Sequence, residues 1–421
     1  MEQILFYILV IFICLSFAFD KLLDYLNTTL WSNTLPEDLK EVYEPEQYER
    51  SQNYERENFY LSQYRSVVSF AMILALLLFG GFGWLDQWVR GFTEHPILMA
   101  LAFFGVISVV SGFMALPFDL YDTFVVEQKY GFNRQTIKSF FSDLLKQSLL
   151  GGIIGGILIS VFLWMYLLAG NLFWLYAWIA FSAFSVFMAM FYSTLIVPIF
   201  NKQTPLEPGE LREAIESFAK KANFSISNIF VIDGSKRSTK ANAYFSGLGK
   251  QKRIVLYDTL LNNYSTGELV SILAHEIGHY KKKHIQKGMA IAILNMGLIF
   301  ALIGQIIGNP ALSLALGATE ASIHMGLLAV GILFTPISMI SGIAANYFSR
   351  KQEYEADAFA ATHSDPVMTQ AALKKLYANN LANLRPHAWY EFVYFSHPGL
   401  LKRLNHLKKF INHDTRNHSA G

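Results

Sequence analysis

Cysteine is almost missing from this 421-residue chain: Cys14 is its only one. An intrachain disulfide is therefore impossible, and so is a metal site built from several thiolates. A metal held by this protein must rest on His, Asp or Glu. Charge is scarce as well. Asp, Glu, Lys and Arg make up 16% of the residues, against about 25% in soluble domains. The two signs nearly cancel, at a formal +2, and no basic block suggests nucleic acid as a partner. Apolar residues fill the gap: 53% are hydrophobic and Phe alone numbers 35. The class this implies is an integral membrane protein.

A helix crosses the hydrocarbon core of a bilayer with about 20 apolar residues. Seven segments reach or approach that length: Ile4–Phe19, Val67–Trp84, Ile97–Phe118, Leu149–Leu168, Leu172–Ile199, Met289–Ile307 and Ile323–Ile343. The first lacks the basic start of a signal peptide and reads as a retained helix. Small-residue runs such as "GGIIGGILIS" suit close helix contacts in lipid. With seven crossings, all but Arg90 of the chain's 34 Lys and Arg residues fall on one side. The positive-inside rule makes that side cytoplasmic, with the C-terminus inside and the N-terminus outside.

The long polar segments share that side. Residues 21–65 read as mostly helix with repeated Tyr, and 119–148 as a polar re-entry with a Gly-Phe-Asn turn. In "GELREAIESFAKKANF", Leu211, Ile215, Phe218 and Ala219 form the apolar face of an amphipathic helix. "NIFVIDG", "NAYFSGL" and "RIVLYDTLL" read as strands. "STGELVSILAHEIGHYKKKH" restarts a helix, with Ser265 or Thr266 as N-cap and Glu268 in the first turn. The chain divides accordingly into 1–200, with five spans and two inner loops, and 201–287, a small α+β part. The sixth and seventh spans occupy 288–343, and a helical tail follows over 344–421 with a break near "RPHAWYEFVYFSHPGL".

His275-Glu276-Ile277-Gly278-His279 is His-Glu-x-x-His. On a helix the two histidines lie one turn apart on a single face, so both can bind one Zn²⁺. Glu276 then projects beside the metal, where it can take a proton from water. Five residues match by chance in some chains, but Ala274 and Ile277 between the polar positions fit a packed helix. A catalytic zinc site needs a third ligand. Cysteine is excluded, and Glu94 and Glu320 lie on the wrong side. "SRKQEYEADAFAATH" follows the seventh apolar segment directly, on the right side. Its Glu353 and Asp357 are one helical turn apart. One can bind the metal while the other orients a ligand histidine through its free ring nitrogen, although acidic helix turns are commonly just solvated. His284, five residues beyond His279, is off the ligand face.

These segments together resemble the type I CAAX prenyl endopeptidases, integral-membrane zinc metalloproteases of the endoplasmic reticulum and inner nuclear membrane with bacterial relatives. The resemblance runs through "LPFDLYDTFVVEQKYGFNRQT", "PIFNKQTPLEPGELREAIE", "GSKRSTKANAYFSGLGKQKRIVLYDTLL", "LVSILAHEIGHYKKKH", "SRKQEYEADAFA" and "FSHPGLLKRLNHL" in order. It implies seven helices around an intramembrane chamber, closed on the cytoplasmic side by a small α+β zinc domain. It implies one Zn²⁺ per chain on His275, His279 and Glu353, with Glu276 as general base. Asp357 supports the ligands or donates a proton. His397, in "FSHP", stabilises the oxyanion. Asn242 and Ala243 bind substrate backbone, and Arg403 borders the substrate site while holding Glu353 or nearby carboxylates. The implied partners are a prenylated or membrane-associated peptide and the bilayer, with the protein monomeric. Short loops point to a bacterial member in the inner membrane. A quality-control protease indifferent to prenylation, a transporter and an inactive scaffold are the competing readings.

Overall fold

The computed structural model describes residues 1–224, 229–247 and 253–418. The chain opens with long helices: α1 (Glu2–Thr28), α2 (Pro45–Leu78), the short α3 (Gly81–Arg90), α4 (Pro96–Tyr121), α5 (Ile137–Ala169), α6 (Phe173–Leu195) and a last turn, α7 (Val197–Phe200). Proline at the first turn starts α2 and α4, where its missing N–H costs nothing. Gly80, at φ +69, turns the chain from α2 into α3, so Trp84 belongs to a separate helix and not to the second span. The expected polar re-entry over 119–148 is largely helical: α4 runs on as a π-helical turn over Asp122–Glu127, and α5 begins at Ile137.

Five stretches are long and apolar enough to cross a membrane: Glu2–Thr28, Pro45–Leu78, Pro96–Glu127, Ile137–Phe200 and His284–Ile306. A sixth appears if Ile323–Leu333 and Thr335–His363, bent by 50°, count as one span. This is fewer than the seven expected. The difference lies in Ile137–Phe200, which is one apolar stretch of 64 residues although Gly170, at φ +52, separates α5 from α6 within it.

Beyond the first membrane helices the chain builds a four-stranded sheet: β1 (Gln203–Pro205), β2 (Ile229–Ile232), β3 (Ala243–Ser246) and β4 (Arg253–Tyr257), in the order β1-β2-β4-β3. β2 and β4 are parallel, and the outer pairs are antiparallel. Three of these strands follow the apolar runs of the sequence. β1 was not foreseen, because its three residues carry too little pattern. "RIVLYDTLL" is a strand only to Tyr257, and Asp258–Asn263 turns into helix α9. Helix α8 (Glu210–Lys221) packs on the sheet through Ile215, Phe218 and Ala219, with Leu211 at the edge. These join Ile254, Leu256, Leu273 and Ile277 in one buried core. Each such aliphatic or aromatic side chain contributes about 1.5–3 kcal/mol of burial.

Helix α10 (Thr266–Lys281) carries the histidine motif. Ser265 caps it: its hydroxyl accepts from the Glu268 N–H, and the Glu268 carboxylate accepts from the Ser265 N–H. The helix stops where Lys283 adopts a left-handed φ of +59, and α11 (His284–Ile306) restarts at once as a membrane helix. Helices α12 (Pro310–Ala315) and α13 (Ile323–Leu333) follow. α14 (Thr335–His363) then leaves the bend at Phe334 and packs along α10. The tail forms α15 (Pro366–Asn379), α16 (Ala388–Tyr394) and α17 (Leu400–His418). α16 lies inside the segment expected to be a break. Tyr43, just before α2, and Tyr48, in its first turn, are buried against Leu400, Leu404 and Leu407 of α17 and Ala361 of α14. They hold α17 against α14 and α15.

Candidate metal centre and active site

The site is made where α10 and α14 cross. Gly278 sits at the crossing: a Cβ there would stand 3.1 Å from the Ala356 Cα and 3.2 Å from the Ala356 carbonyl oxygen. The missing side chain lets α14 approach until Glu353 faces both histidines. His275 Nε2 lies 3.4 Å from Glu353 Oε2, and His279 Nε2 lies 3.2 Å from Glu353 Oε1. The two Nε2 atoms face each other at 3.1 Å. A ligand atom from each of these three residues falls within 4.8 Å of the others. Among the described residues no other His, Cys, Asp or Glu group forms such a set.

The donors fit a metal ion on their own chemistry. Two imidazole Nε2 atoms pointed at one another cannot both carry a proton. Glu353 is 3% exposed, and its Oε2 is buried without a hydrogen-bond partner. Buried polar atoms are seldom left so, and one cation placed among the three groups would satisfy all of them. Two imidazoles and a carboxylate are a donor set zinc accepts at catalytic sites.

The supporting residues are as close. Asp357, 1% exposed, brings Oδ1 to 2.9 Å from His275 Nδ1, near enough to hold the ring with Nε2 free although poorly aligned as a hydrogen bond. Arg403 of α17 grips Asp357 in a two-pronged pair: Nε donates to Oδ2 at 2.8 Å and Nη2 to Oδ1 at 2.6 Å. Its Nη1 is 3.4 Å from Glu353 Oε2. Arg403 borders the site cavity, but its guanidinium faces these carboxylates, so it assembles the centre where the sequence also suggested substrate contact. His397 projects from the exposed loop before α17, with Nε2 3.3 Å from Glu353 Oε1.

A cavity of about 200 Å³ opens at the centre. His275, Glu276, Glu353, Asp357, His397, Arg403, Asn242 and Ala243 all border it, so every residue singled out in the sequence except His279 lines this one space. Leu260, Ile272, Leu373 and Leu376 give it an apolar wall. Burial raises the Glu276 carboxyl above its ordinary range, and Glu353 adds to this while the two histidines oppose it. Such a carboxylate suits a general base better than an ordinary surface one. Sequence reasoning set His284 aside. The structure places its Nδ1 3.0 Å from His279 Nδ1 and its Nε2 3.1 Å from Glu355 Oε2. The only hint of this in the sequence was a third histidine so near the motif.

The chain's relationships agree with this centre. Residues 205–411 match peptidase family M48, and residues 24–202 match the family described as CAAX prenyl protease N-terminal, five membrane helices. A CAAX prenyl protease 1 homolog of Oryza sativa subsp. japonica is 34% identical over 94% of this chain and 96% of its own length. The chain belongs to peptidase family M48. CAAX prenyl protease 1 of Saccharomyces cerevisiae is 33% identical over 93% of this chain and 92% of its own. The Homo sapiens homolog is 31% identical over 90% of each. The crystal structure of S. mikatae Ste24p superposes with a TM-score of 0.91 at 32% identity, covering 96% of this chain and 99% of that one. With the M48 match and the His275–His279–Glu353 cluster, this M48 member is a zinc metalloendopeptidase of a multi-pass membrane fold. The relatives named here are eukaryotic, and nothing in them favours the bacterial source expected from the short loops.

Proposed function

We propose that this protein cuts the carboxy-terminal segment from prenylated Cys-a-a-X substrates presented by the membrane. The observation that carries the reading is the convergence of His275, His279 and Glu353 beside Glu276 in one cavity. The substrate class is taken from the relatives, which are called CAAX prenyl proteases.

His275 Nε2, His279 Nε2 and Glu353 would hold a single Zn²⁺. When bound, the ion supplies a water acidic enough to ionise near pH 7 and an electrophile for the scissile carbonyl. Glu276 takes the proton from the attacking water and returns it to the leaving amine. Asp357, locked by Arg403, keeps His275 turned with Nε2 inward. His397 is placed to donate to the oxyanion as it forms. β3 is one of the two edge strands of the sheet, and Ala243 at its start borders the cavity with Asn242. An extended substrate can add to this edge as a further strand, held by backbone hydrogen bonds.

The membrane part supports seven crossings. α5 and α6 contact one another, with Phe162 packed against both Phe173 and Phe181, so the 64-residue stretch folds back on itself as a hairpin. Read as two spans, and with the bent pair as one, it brings the count to seven. No more than 17% of the apolar window of any of the five single stretches is buried. Helices so thinly covered suit a ring around an internal chamber better than a packed bundle. We place the catalytic side in the cytoplasm, on the distribution of Lys and Arg, and take the protein as a monomer divided near residue 200.

The test is metal content together with cleavage of a farnesylated Cys-a-a-X peptide and its unprenylated twin. Wild type should hold about one zinc per chain and cut the farnesylated peptide. Glu276→Gln should keep the zinc and lose at least about 10²-fold in kcat. Equal turnover of both peptides would shift the reading to a protease of general membrane substrates. Bound zinc without cleavage of either would overturn the endopeptidase role.

A further inference from the structure

The second zinc ligand has an orienting partner of an unexpected kind. His275 is steadied by a carboxylate, Asp357, whereas the ring nitrogen of His279 that faces away from the centre meets another histidine. His279 Nδ1 and His284 Nδ1 are 3.0 Å apart, and His284 Nε2 lies 3.1 Å from Glu355 Oε2. His284 is 3% exposed, at the first position of α11, and Glu355 stands on α14 between the ligand Glu353 and Asp357.

The protons on this chain of groups admit one arrangement once His279 binds a metal. Its Nε2 must offer a lone pair, so its Nδ1 carries the hydrogen and donates it. His284 Nδ1 must then accept, which leaves the hydrogen of His284 on Nε2. That hydrogen points at Glu355, a carboxylate that can only accept. Each hydrogen bond fixes the next. We infer that His284 and Glu355 are positioning residues that lock the ring and tautomer of His279 for zinc, a role resting on the zinc-endopeptidase reading above.

The backbone explains how a residue at this spacing reaches the ligand. On an unbroken helix a side chain five positions on would be turned by about 140° from His279. Lys283 interrupts the helix with a φ of +59, a conformation rare outside glycine. The chain reverses its twist there, and His284 comes back beneath His279 with their rings 5.0 Å apart. The break between the catalytic helix and the membrane helix α11 thus puts the relay at the point where the two join.

The test measures zinc affinity by chelator competition and records the visible spectrum of the Co²⁺-substituted protein. Partners of this kind change metal affinity by about 10–100-fold. His284→Leu should weaken zinc retention within that range, shift the Co²⁺ bands and lower kcat while KM for peptide stays. His284→Gln, whose amide oxygen can still accept from His279, should recover part of the loss. Glu355→Ala removes a half-exposed side chain and leaves the core alone, so it decides the matter if the His284 variants do not fold; it should weaken retention by a smaller factor. Wild-type affinity and an unshifted Co²⁺ spectrum in Glu355→Ala and in folded His284→Leu would overturn the relay and leave the endopeptidase standing. A wild-type protein that binds no zinc would overturn both.

Discussion

Arg403 is a cation 6% exposed between two carboxylates, and its removal isolates charge inside the protein. Breaking one side of a buried ion pair costs about 3–5 kcal/mol. Arg403→Leu should lower the melting temperature in detergent and weaken zinc retention, because Asp357, which steadies His275, and Glu353 both lose the cation that fixes their positions. Arg403→Lys keeps the charge but not the two-pronged geometry, and should lie between the two. Asp357→Asn combined with Arg403→Leu should cost less than Arg403→Leu alone, since the stranded anion is gone; a double mutant as unstable as the sum of the singles would refute the coupling. The ligands themselves were legible because a helix has a fixed period: His275 with His279, and Glu353 with Asp357, each sit one turn apart. Which acid binds the metal was not legible from spacing. It is decided by Arg403 and by the approach of α14 to α10, and both are tertiary facts.

Elements meet through their smallest residues, and two glycines separate what holds the site from what holds the membrane part. Gly278→Ala would press a methyl group onto the backbone of α14 at 3.1 Å from the Ala356 Cα. Overpacking of this kind costs about 1–3 kcal/mol. Because the crossing also sets the distance from Glu353 to the histidines, zinc affinity should fall together with stability. At Gly83 a Cβ would stand 2.1 Å from the Gly317 carbonyl oxygen, and Gly317 itself is held at φ +86. Gly83→Ala should therefore destabilise at least as much, yet leave zinc affinity in the folded fraction unchanged; thermal melts with zinc titrations distinguish the two. Helices were read well from the sequence where apolar runs or caps are long, as at α8 and α10. The elements missed include β1, α9, α12 and α16, each too short to carry a period, the separate helix α3 beyond Gly80, and the break at Lys283, where three lysines and a histidine give no turn signal. The re-entry over 119–148 was misread because polar helix and polar loop look alike without partners.

At the scale of the whole molecule the zinc ligands tie the sheet-bearing part to the tail, since α10 precedes the membrane helix α11 and Glu353 lies on α14, beyond it in the chain. Metal that binds only the folded state adds RT ln(1 + [L]/Kd), about 2.7 kcal/mol at one hundred times Kd. Chelation should thus lower the melting temperature of the whole protein, and added zinc should restore it. An unchanged melt would mean that the ligand helices are held without the ion. Topology gives the wider test. If Ile137–Phe200 is a hairpin of two crossings, Asn171 at its tip faces the same side as Glu94, and Lys129 and Glu207 face the other. All four side chains are exposed, and Cys14 is the single native cysteine, so Cys14→Ser leaves a clean background. Single cysteines introduced at these four positions should react with an impermeant maleimide in two groups, Glu94 and Asn171 from outside the cell, Lys129 and Glu207 only after permeabilisation. Labelling of the Asn171 position together with the Glu207 position would remove the hairpin and leave fewer than seven spans. It would also move the metal centre relative to the charge asymmetry, because the parity of the crossings before α10 decides which face of the membrane the catalytic helix occupies.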